Sequence, residues 1–171
     1  MSTVAEKTTA ASLRERATLW PKGNHYEDFT IGQRFEHHWG RTLLEGDNTL
    51  FTLMTLHYNP VYFNVQAARA QGEPGLVVNP MLVFLTVFGL SVEDLSEAGG
   101  AFLGVDELTF HKTLVAGDTV TATSEVTALR ESGSRPDAGI VTWHTEGFDQ
   151  HGTRVIDFLR TNLINRRGAR A

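Results

Sequence analysis

The stretch Asn79-Pro80-Met81-Leu82-Val83-Phe84-Leu85-Thr86-Val87-Phe88-Gly89-Leu90 decides the fold. Between Met81 and Leu90 only Thr86 and Gly89 interrupt the apolar run, so a helix there has no polar side to turn toward water and is expected to be buried all round. Its entry is doubly marked. Asn79 carries the side-chain oxygen that an N-cap needs, and Pro80 suits the first helical position, where a missing N–H costs nothing. A buried strand could hold the same residues, but the length, the cap and the proline favour a helix.

Working outward, the pattern changes to strands from Gly100 onward. Ala101 to Leu114 is followed by a turn at Gly117-Asp118, and Thr119 to Arg130 is rich in Thr and Val. The polar loop Glu131 to Gly139, the segment Ile140 to Asp149, a tight turn at Gln150-His151-Gly152 and Thr153 to Ile164 complete an antiparallel meander. Upstream, Arg34 to Leu44 reads as a strand. Asp47 to Tyr58 reads as a helix that Pro60 must end, and Val65 to Ala70 as a short amphipathic piece. Residues 1–24 read as a tail with a short helix around Ser12 to Leu19. Arg166, Arg167 and Arg170 gather at the other end, where 167–171 reads as a solvated tail. One apolar helix and a run of long antiparallel strands have few packing solutions. The simplest is a single α+β domain over 25–166, a curved antiparallel sheet wrapped around the helix, which is the hot-dog architecture.

The bulk numbers exclude several classes. With 171 residues the chain has room for one proper core and not for two domains. A net charge of −5 argues against nucleic-acid binding, which needs a basic stripe to neutralise phosphates. There are no cysteines, so disulfides, thiolate nucleophiles and Cys-ligated metals are ruled out. The first 20 residues lack the apolar run of a signal peptide, and Leu76 to Leu90 is too short and too broken to span a bilayer, so a cytoplasmic protein with no membrane partner is expected. His37 and His38 are adjacent on a strand and face opposite ways, and His111, His144 and His151 have no ligand spacing with any carboxylate. No metal and no organic cofactor are expected.

The order of segments resembles the MaoC-like hydratase family, which includes (R)-specific enoyl-CoA hydratases, and the branch of itaconyl-CoA and mesaconyl-CoA hydratases above all. The matching pieces are Tyr26-Glu27-Asp28-Phe29 with Ile31-Gly32, Gly40-Arg41-Thr42, and Asp47-Asn48 before Phe51-Thr52. Further on come Asn59-Pro60 with Phe63, Leu76-Val77-Val78-Asn79, Gly89-Leu90-Ser91-Val92 and Gly117-Asp118-Thr119. The resemblance runs from about His25 to Arg166. It implies a hydratase or dehydratase that takes an enoyl or 3-hydroxyacyl thioester of coenzyme A or acyl carrier protein, with coenzyme A or pantetheine present only as part of the substrate. The family motif places a carboxylate or amide two residues before Asn-Pro and a His two residues after it. Here those positions hold His57 and Tyr62. A glycine that opens the family's buried helix is matched by Pro80, and a helix serine by Phe88.

Adding water across an enoyl thioester requires a group to take a proton from water, one to protonate C2, and donors for the enolate oxygen. His57 and Tyr62 sit on either side of the reversal at Pro60 and are the candidate catalytic pair. Histidine is the natural base near neutrality, and a tyrosine hydroxyl can donate to an enolate. A helix C-terminus instead favours a protonated His57, suited to acid or donor work. Packing of Tyr62 on a backbone carbonyl and capping by His57 are the structural alternatives. At the helix start the N–H groups of Met81 and Leu82 are expected to be free to hold a thioester oxygen, unless Asn79 caps them itself. Asn59, Asn79, Met81, Leu82, Phe88 and Arg41 are the candidate substrate contacts, with a salt bridge as the competing use of Arg41. Asp47 and Asn48 read as helix caps.

Two other readings stay open. The replacements at Tyr62, Pro80 and Phe88 fit a different thioester reaction on the same scaffold, such as hydrolysis, isomerisation or conjugate addition. A non-catalytic acyl-thioester binding subunit is the third. Because an unpaired sheet edge is a liability, a homodimer is expected.

Overall fold

The sheet takes its two sides from strict alternation, since successive side chains leave a strand on opposite faces. In the computed structural model, which describes residues 16–17 and 22–169, the strands are β1 (Arg34–Glu36), β2 (Arg41–Thr42), β3 (Phe102–Phe110), β4 (Thr119–Glu131), β5 (Ala138–Phe148) and β6 (Arg154–Asn165). Val120, Ala122 and Val126 of β4, Val141 and Trp143 of β5, and Ile156, Phe158 and Ile164 of β6 all turn inward. All pairings are antiparallel, in the order β1-β4-β5-β6-β3, with β2 also on β4. The helices are α1 (Glu45–Thr55), α2 (Val65–Ala70), α3 (Pro80–Leu90) and α4 (Val92–Leu95), with short 3-10 turns at Tyr26–Asp28 and Pro60–Tyr62.

The expected architecture is present: the sheet curves around α3, whose Leu82, Val83, Phe84 and Val87 form one core with Val120, Ile156 and Phe158. Phe84 meets Phe158 edge-on at 5.1 Å between centroids. A second core holds Phe29, Leu95, Val126 and Trp143. Val87 of α3 packs against Gly147 of β5, where a Cβ would lie 2.7 Å from Ile156 Cγ2 and 2.8 Å from Val87 Cγ2. Both neighbours are β-branched and stiff. Gly147→Ala is expected to lower stability by about 1–3 kcal/mol, read as a shift of the urea midpoint; an unchanged midpoint would mean that α3 can lift from the sheet freely.

Several expectations need correction. The strand over Arg34 to Leu44 is two short pieces, because the chain leaves regular pairing at His37–Gly40 while still running along β4, with the His37 N–H on the Ala122 carbonyl. Helix α1 begins at Glu45 rather than Asp47 and ends at Thr55, where Leu56 turns left-handed at φ 57°. The strand after Gly100 stops at Phe110. Helix α3 is not covered all round: Met81 and Leu85 are 40% and 49% exposed, and Gly89, one turn further on, is open too. Arg166 and Arg167 are not free in solvent. Arg166 bonds Glu27 and Glu131 and lies over the Tyr26 ring, and Arg167 bonds Asp28. The expected helix around Ser12 to Leu19 lies almost wholly outside the described residues, as does Arg170.

The β5–β6 turn carries a pH-dependent element. Asp149 Oδ1 accepts from the N–H groups of His151 and Thr153, each at 2.9 Å, and Gly152 supplies the positive φ of 76°. The ammonium of Lys112 on its other oxygen, with those two amides, holds the Asp149 carboxyl down to about 2. A carboxylate depressed in the folded state contributes stability above its unfolded pKa of roughly 4 and loses it as pH falls toward the folded value. Asp149→Asn is therefore expected to shrink the stability difference between pH 7 and pH 3 measured by urea unfolding. An unaltered difference would remove Asp149 from the acid response.

Candidate active site

The chain reverses between α1 and α2 in a way its sequence dictates. Leu56 ends α1, the His57 N–H reaches back to the Thr52 carbonyl at 3.2 Å, and Pro60 forbids continuation. Asn59 Oδ1 accepts from the Val61 N–H at 3.3 Å and so starts the short turn that ends at Tyr62. The Tyr62 ring is buried against Val61, Ala68 and Val77. It meets the His57 ring edge-on at 5.2 Å between centroids. Burial pushes the Tyr62 phenol up, so it stays protonated at neutral pH and can donate. Its hydroxyl has no hydrogen-bond partner among the described residues, so the expected alternative, a bond to a backbone carbonyl, is not present there.

Asn48 ties this reversal to the start of α3. It is wholly buried; its amide nitrogen donates to the Tyr62 carbonyl at 2.7 Å and to the Val77 carbonyl at 2.8 Å, while its oxygen accepts from the Asn79 N–H at 2.8 Å. Reading Asn48 as a cap is thus wrong. With α1 starting at Glu45, Asn48 falls on the inward face, and Asp47 alone performs the capping, accepting from the Leu44 N–H at 3.1 Å. Sequence reasoning missed this residue. The hint in the sequence is an amide three residues before Phe51, on the same face of a helix expected to pack.

Asn79 is also fully buried. Its Oδ1 accepts from the Met81 N–H at 3.0 Å, as an N-cap should, and its Nδ2 lies 3.0 Å from His57 Nδ1. His57 itself is exposed. The expectation of free amides at Met81 and Leu82 is not met. Met81 is taken by the Asn79 side chain, and the N–H groups of Leu82 and Val83 both bond the Asn79 carbonyl, at 2.9 and 3.2 Å. Leu82 is a core residue. A cavity of about 290 Å³ opens beside Pro80, walled by Val77, Val83, Phe110 and Leu114 with His111 and Lys112 at its polar side.

The structure thus gathers His57, Asn59, Tyr62, Asn79 and Met81 at one end of α3 and leaves two candidates elsewhere. Phe88 lies eight residues along the helix, about 12 Å at 1.5 Å per residue. There it packs with Phe102 and Phe158 under the Arg160 guanidinium, 4.0 Å from the ring centroid. Arg41 donates to Asp47 at 2.8 Å and borders a separate groove with Trp39, Phe51 and Leu85. For Arg41 the salt bridge is the observed use.

Two histidine clusters lie outside this end of α3. His111 and His144 both bond Asp157, contrary to the expectation from spacing, because strand register joins residues 46 and 13 positions apart. Burial works against the Asp157 carboxylate, but its bonds to His144 and His111 hold it below the ordinary carboxylate range. Buried His37 joins Asp94 at 2.6 Å and Ser124 at 2.9 Å, and Ser124 continues to Thr145 at 2.8 Å. Ser124 is 3% exposed, which leaves its hydroxyl no open face for a substrate, so this chain of bonds holds α4 to the sheet. Among the described residues no three His, Asp or Glu side chains are grouped to hold a metal ion.

Comparison with known proteins bears on this site. The family model described as mesaconyl-CoA hydratase matches residues 3–171. Mesaconyl-CoA hydratase of Haloarcula marismortui is 38% identical over 165 residues, which is 96% of this chain and 46% of that protein. Beta-methylmalyl-CoA dehydratase of Chloroflexus aurantiacus is 32% identical over 149 residues, 87% of this chain and 42% of that protein. The crystal structure of a MaoC domain protein dehydratase from Chloroflexus aurantiacus superposes with a TM-score of 0.79 at 31% identity, over 87% of this chain and 43% of that one. The chain spans less than half the length of each of these relatives. With a helix held inside an antiparallel sheet, an Asn-Pro reversal locked to its leading end and a family match over nearly every residue, the chain belongs to the MaoC-like mesaconyl-CoA hydratase family.

Proposed function

We propose that this chain adds water to, or removes it from, a short or branched acyl thioester of coenzyme A in the cytoplasm. The observation that carries the reading is the lock between the Asn59-Pro60 reversal and the start of α3. Asn48 and Asn79 together tie the segment that carries His57 and Tyr62 to the leading end of α3, where Pro80 borders an apolar cavity. The relatives' names, which specify CoA thioesters, support coenzyme A over acyl carrier protein. In this reading the pantetheine arm enters beside Pro80 and the acyl group lies along Val77 and Val83. Tyr62, kept neutral by burial, donates to the enolate oxygen. Water and acid–base side chains suffice for the chemistry, so coenzyme A is needed only as part of the substrate.

The test is direct. The purified chain is incubated with mesaconyl-, itaconyl- and crotonyl-CoA while the enoyl absorbance is followed. Loss of the double bond without thiol release is expected. Thiol release with the double bond intact would make the chain a thioesterase, and no change with any of the three would remove the hydratase reading.

We also propose a homodimer. Met81 and Leu85 on α3, Leu50 and Leu53 on α1, and Phe102 and Leu103 on the edge strand β3 are all at least 40% exposed, and β3 pairs on one side only. An apolar stripe beside an open strand edge favours a second copy. Sedimentation should give twice the 18.9 kDa chain mass; the monomer mass would contradict it, and a larger species would point to another assembly.

A further inference from the structure

We infer that Asn79 is a positioning residue that fixes the tautomer of His57 and turns its ring into a hydrogen-bond donor for the thioester oxygen. The inference rests on the proposed hydratase reading for the donor's purpose, but the tautomer follows from hydrogen-bond logic alone.

The Met81 N–H can only donate, so the Asn79 atom 3.0 Å from it must be the oxygen. The other arm of the amide is then the NH2 group, which can only donate, and it faces His57 Nδ1 at 3.0 Å. Nδ1 must therefore accept. In a neutral imidazole the proton then sits on Nε2. The amide cannot turn over to suit the other tautomer, because turning would set NH2 against the Met81 N–H in a wholly buried place. The Asn79 backbone is held as well, its N–H bonded to Asn48 Oδ1 and its carbonyl accepting from Leu82 and Val83.

This arrangement also answers what the helix start has lost. Pro80 has no N–H, the Met81 N–H is used by Asn79 Oδ1, and those of Leu82 and Val83 are used by the Asn79 carbonyl. No backbone donor of this first turn is left for a developing oxyanion. The Nε2–H of His57 and the Tyr62 hydroxyl, on two rings in edge contact, are side-chain donors still available beside it. One side chain thus withdraws a backbone donor and supplies a side-chain donor beside it. His57 transfers no proton in this role; it holds the proton on Nε2 while charge collects on the thioester oxygen. Tyr62, its phenol pushed up by burial, serves beside it as a second donor.

The test is a long-range proton–nitrogen spectrum of the whole chain labelled with nitrogen-15 histidine, at mildly alkaline pH and without substrate. His57→Ala assigns the signals. The wild-type protein is expected to show His57 Nδ1 as the bare nitrogen and Nε2 as the protonated one. Asn79→Asp, which can accept from Nδ1 but not donate to it, should exchange the two and lower kcat on the CoA thioester by about 10²-fold. A wild-type ring protonated on Nδ1, or averaging both tautomers, overturns the inference. So does an Asn79→Asp spectrum unchanged from wild type. If that variant does not fold, the wild-type spectrum decides alone. Failure of turnover with every thioester would strike the hydratase reading and leave the tautomer result standing, so the two are separable.

Discussion

Asn48→Leu is expected to lower the free energy of unfolding by about 3–6 kcal/mol, read from urea titration at neutral pH. The side chain makes three hydrogen bonds, to the carbonyls of Tyr62 and Val77 and from the N–H of Asn79. Leucine has the same branching and heavy-atom count but no polar atom, so three backbone groups would lose their partner at roughly 1–2 kcal/mol each, within the range for an unsatisfied buried group. Few single changes reach that size, because the whole stability of a domain is about 5–15 kcal/mol. The same change would free the Tyr62 turn and the start of α3 from each other. Activity should therefore fall further than stability explains, even well below the unfolding transition. A loss under about 1 kcal/mol would show that water or backbone rearrangement replaces the hub.

His57→Ala is expected to cost about 10²–10³-fold in kcat on the preferred CoA thioester, the range seen when one oxyanion donor is removed. The fold should barely notice, since His57 is exposed and its one side-chain bond is to Asn79. Tyr62→Phe retains the ring that packs on Val61 and Ala68 and removes only the hydroxyl. A kcat loss of about 10–10²-fold with nearly unchanged thermal stability is expected. The two together should lose less than the product of the single losses if both act on one oxygen. Rates unaffected by either change would mean that this end of α3 binds the thioester without acting on it, as a non-catalytic subunit would.

Some of this was written openly in the chain. The run from Pro80 to Leu90 offers no polar face, and Asn79-Pro80 marks its start, so α3 and the wrapped sheet could be read directly. The turns at Gly117-Asp118 and Gly152 placed β4, β5 and β6 to within two residues. Other features depend on partners that a linear pattern does not contain. Apolar character made α3 look buried all round, yet Met81 and Leu85 face outward, because residue type does not say whether one chain or two supply the cover. At the site, Asn59-Pro60 pointed to His57 and Tyr62. The free amides foreseen at Met81 and Leu82 fell to Asn79, whose side chain and carbonyl take three N–H groups between them. Asn48 escaped notice because α1 starts two residues earlier than its pattern suggested, which turns a cap into an inward hub. Phe88 was placed by its motif position, although a helix carries it about 12 Å from the reversal. The convergence of His111 and His144 on Asp157 comes from register across three strands, which spacing along the chain does not encode.

In the proposed mechanism a thioester carbonyl is held and polarised at the end of α3 by side chains rather than by the helix's own amides. The most direct measurement is the isotope-edited infrared spectrum of butyryl-CoA labelled with carbon-13 at its carbonyl, a saturated thioester that cannot be hydrated, bound to the wild-type chain and to His57→Ala and Tyr62→Phe. A carbonyl stretch moved to lower frequency on binding, moved less in each variant and restored nearly to its free value in the double variant, is the expected result. A stretch shifted equally in all four proteins, or in none, would contradict it.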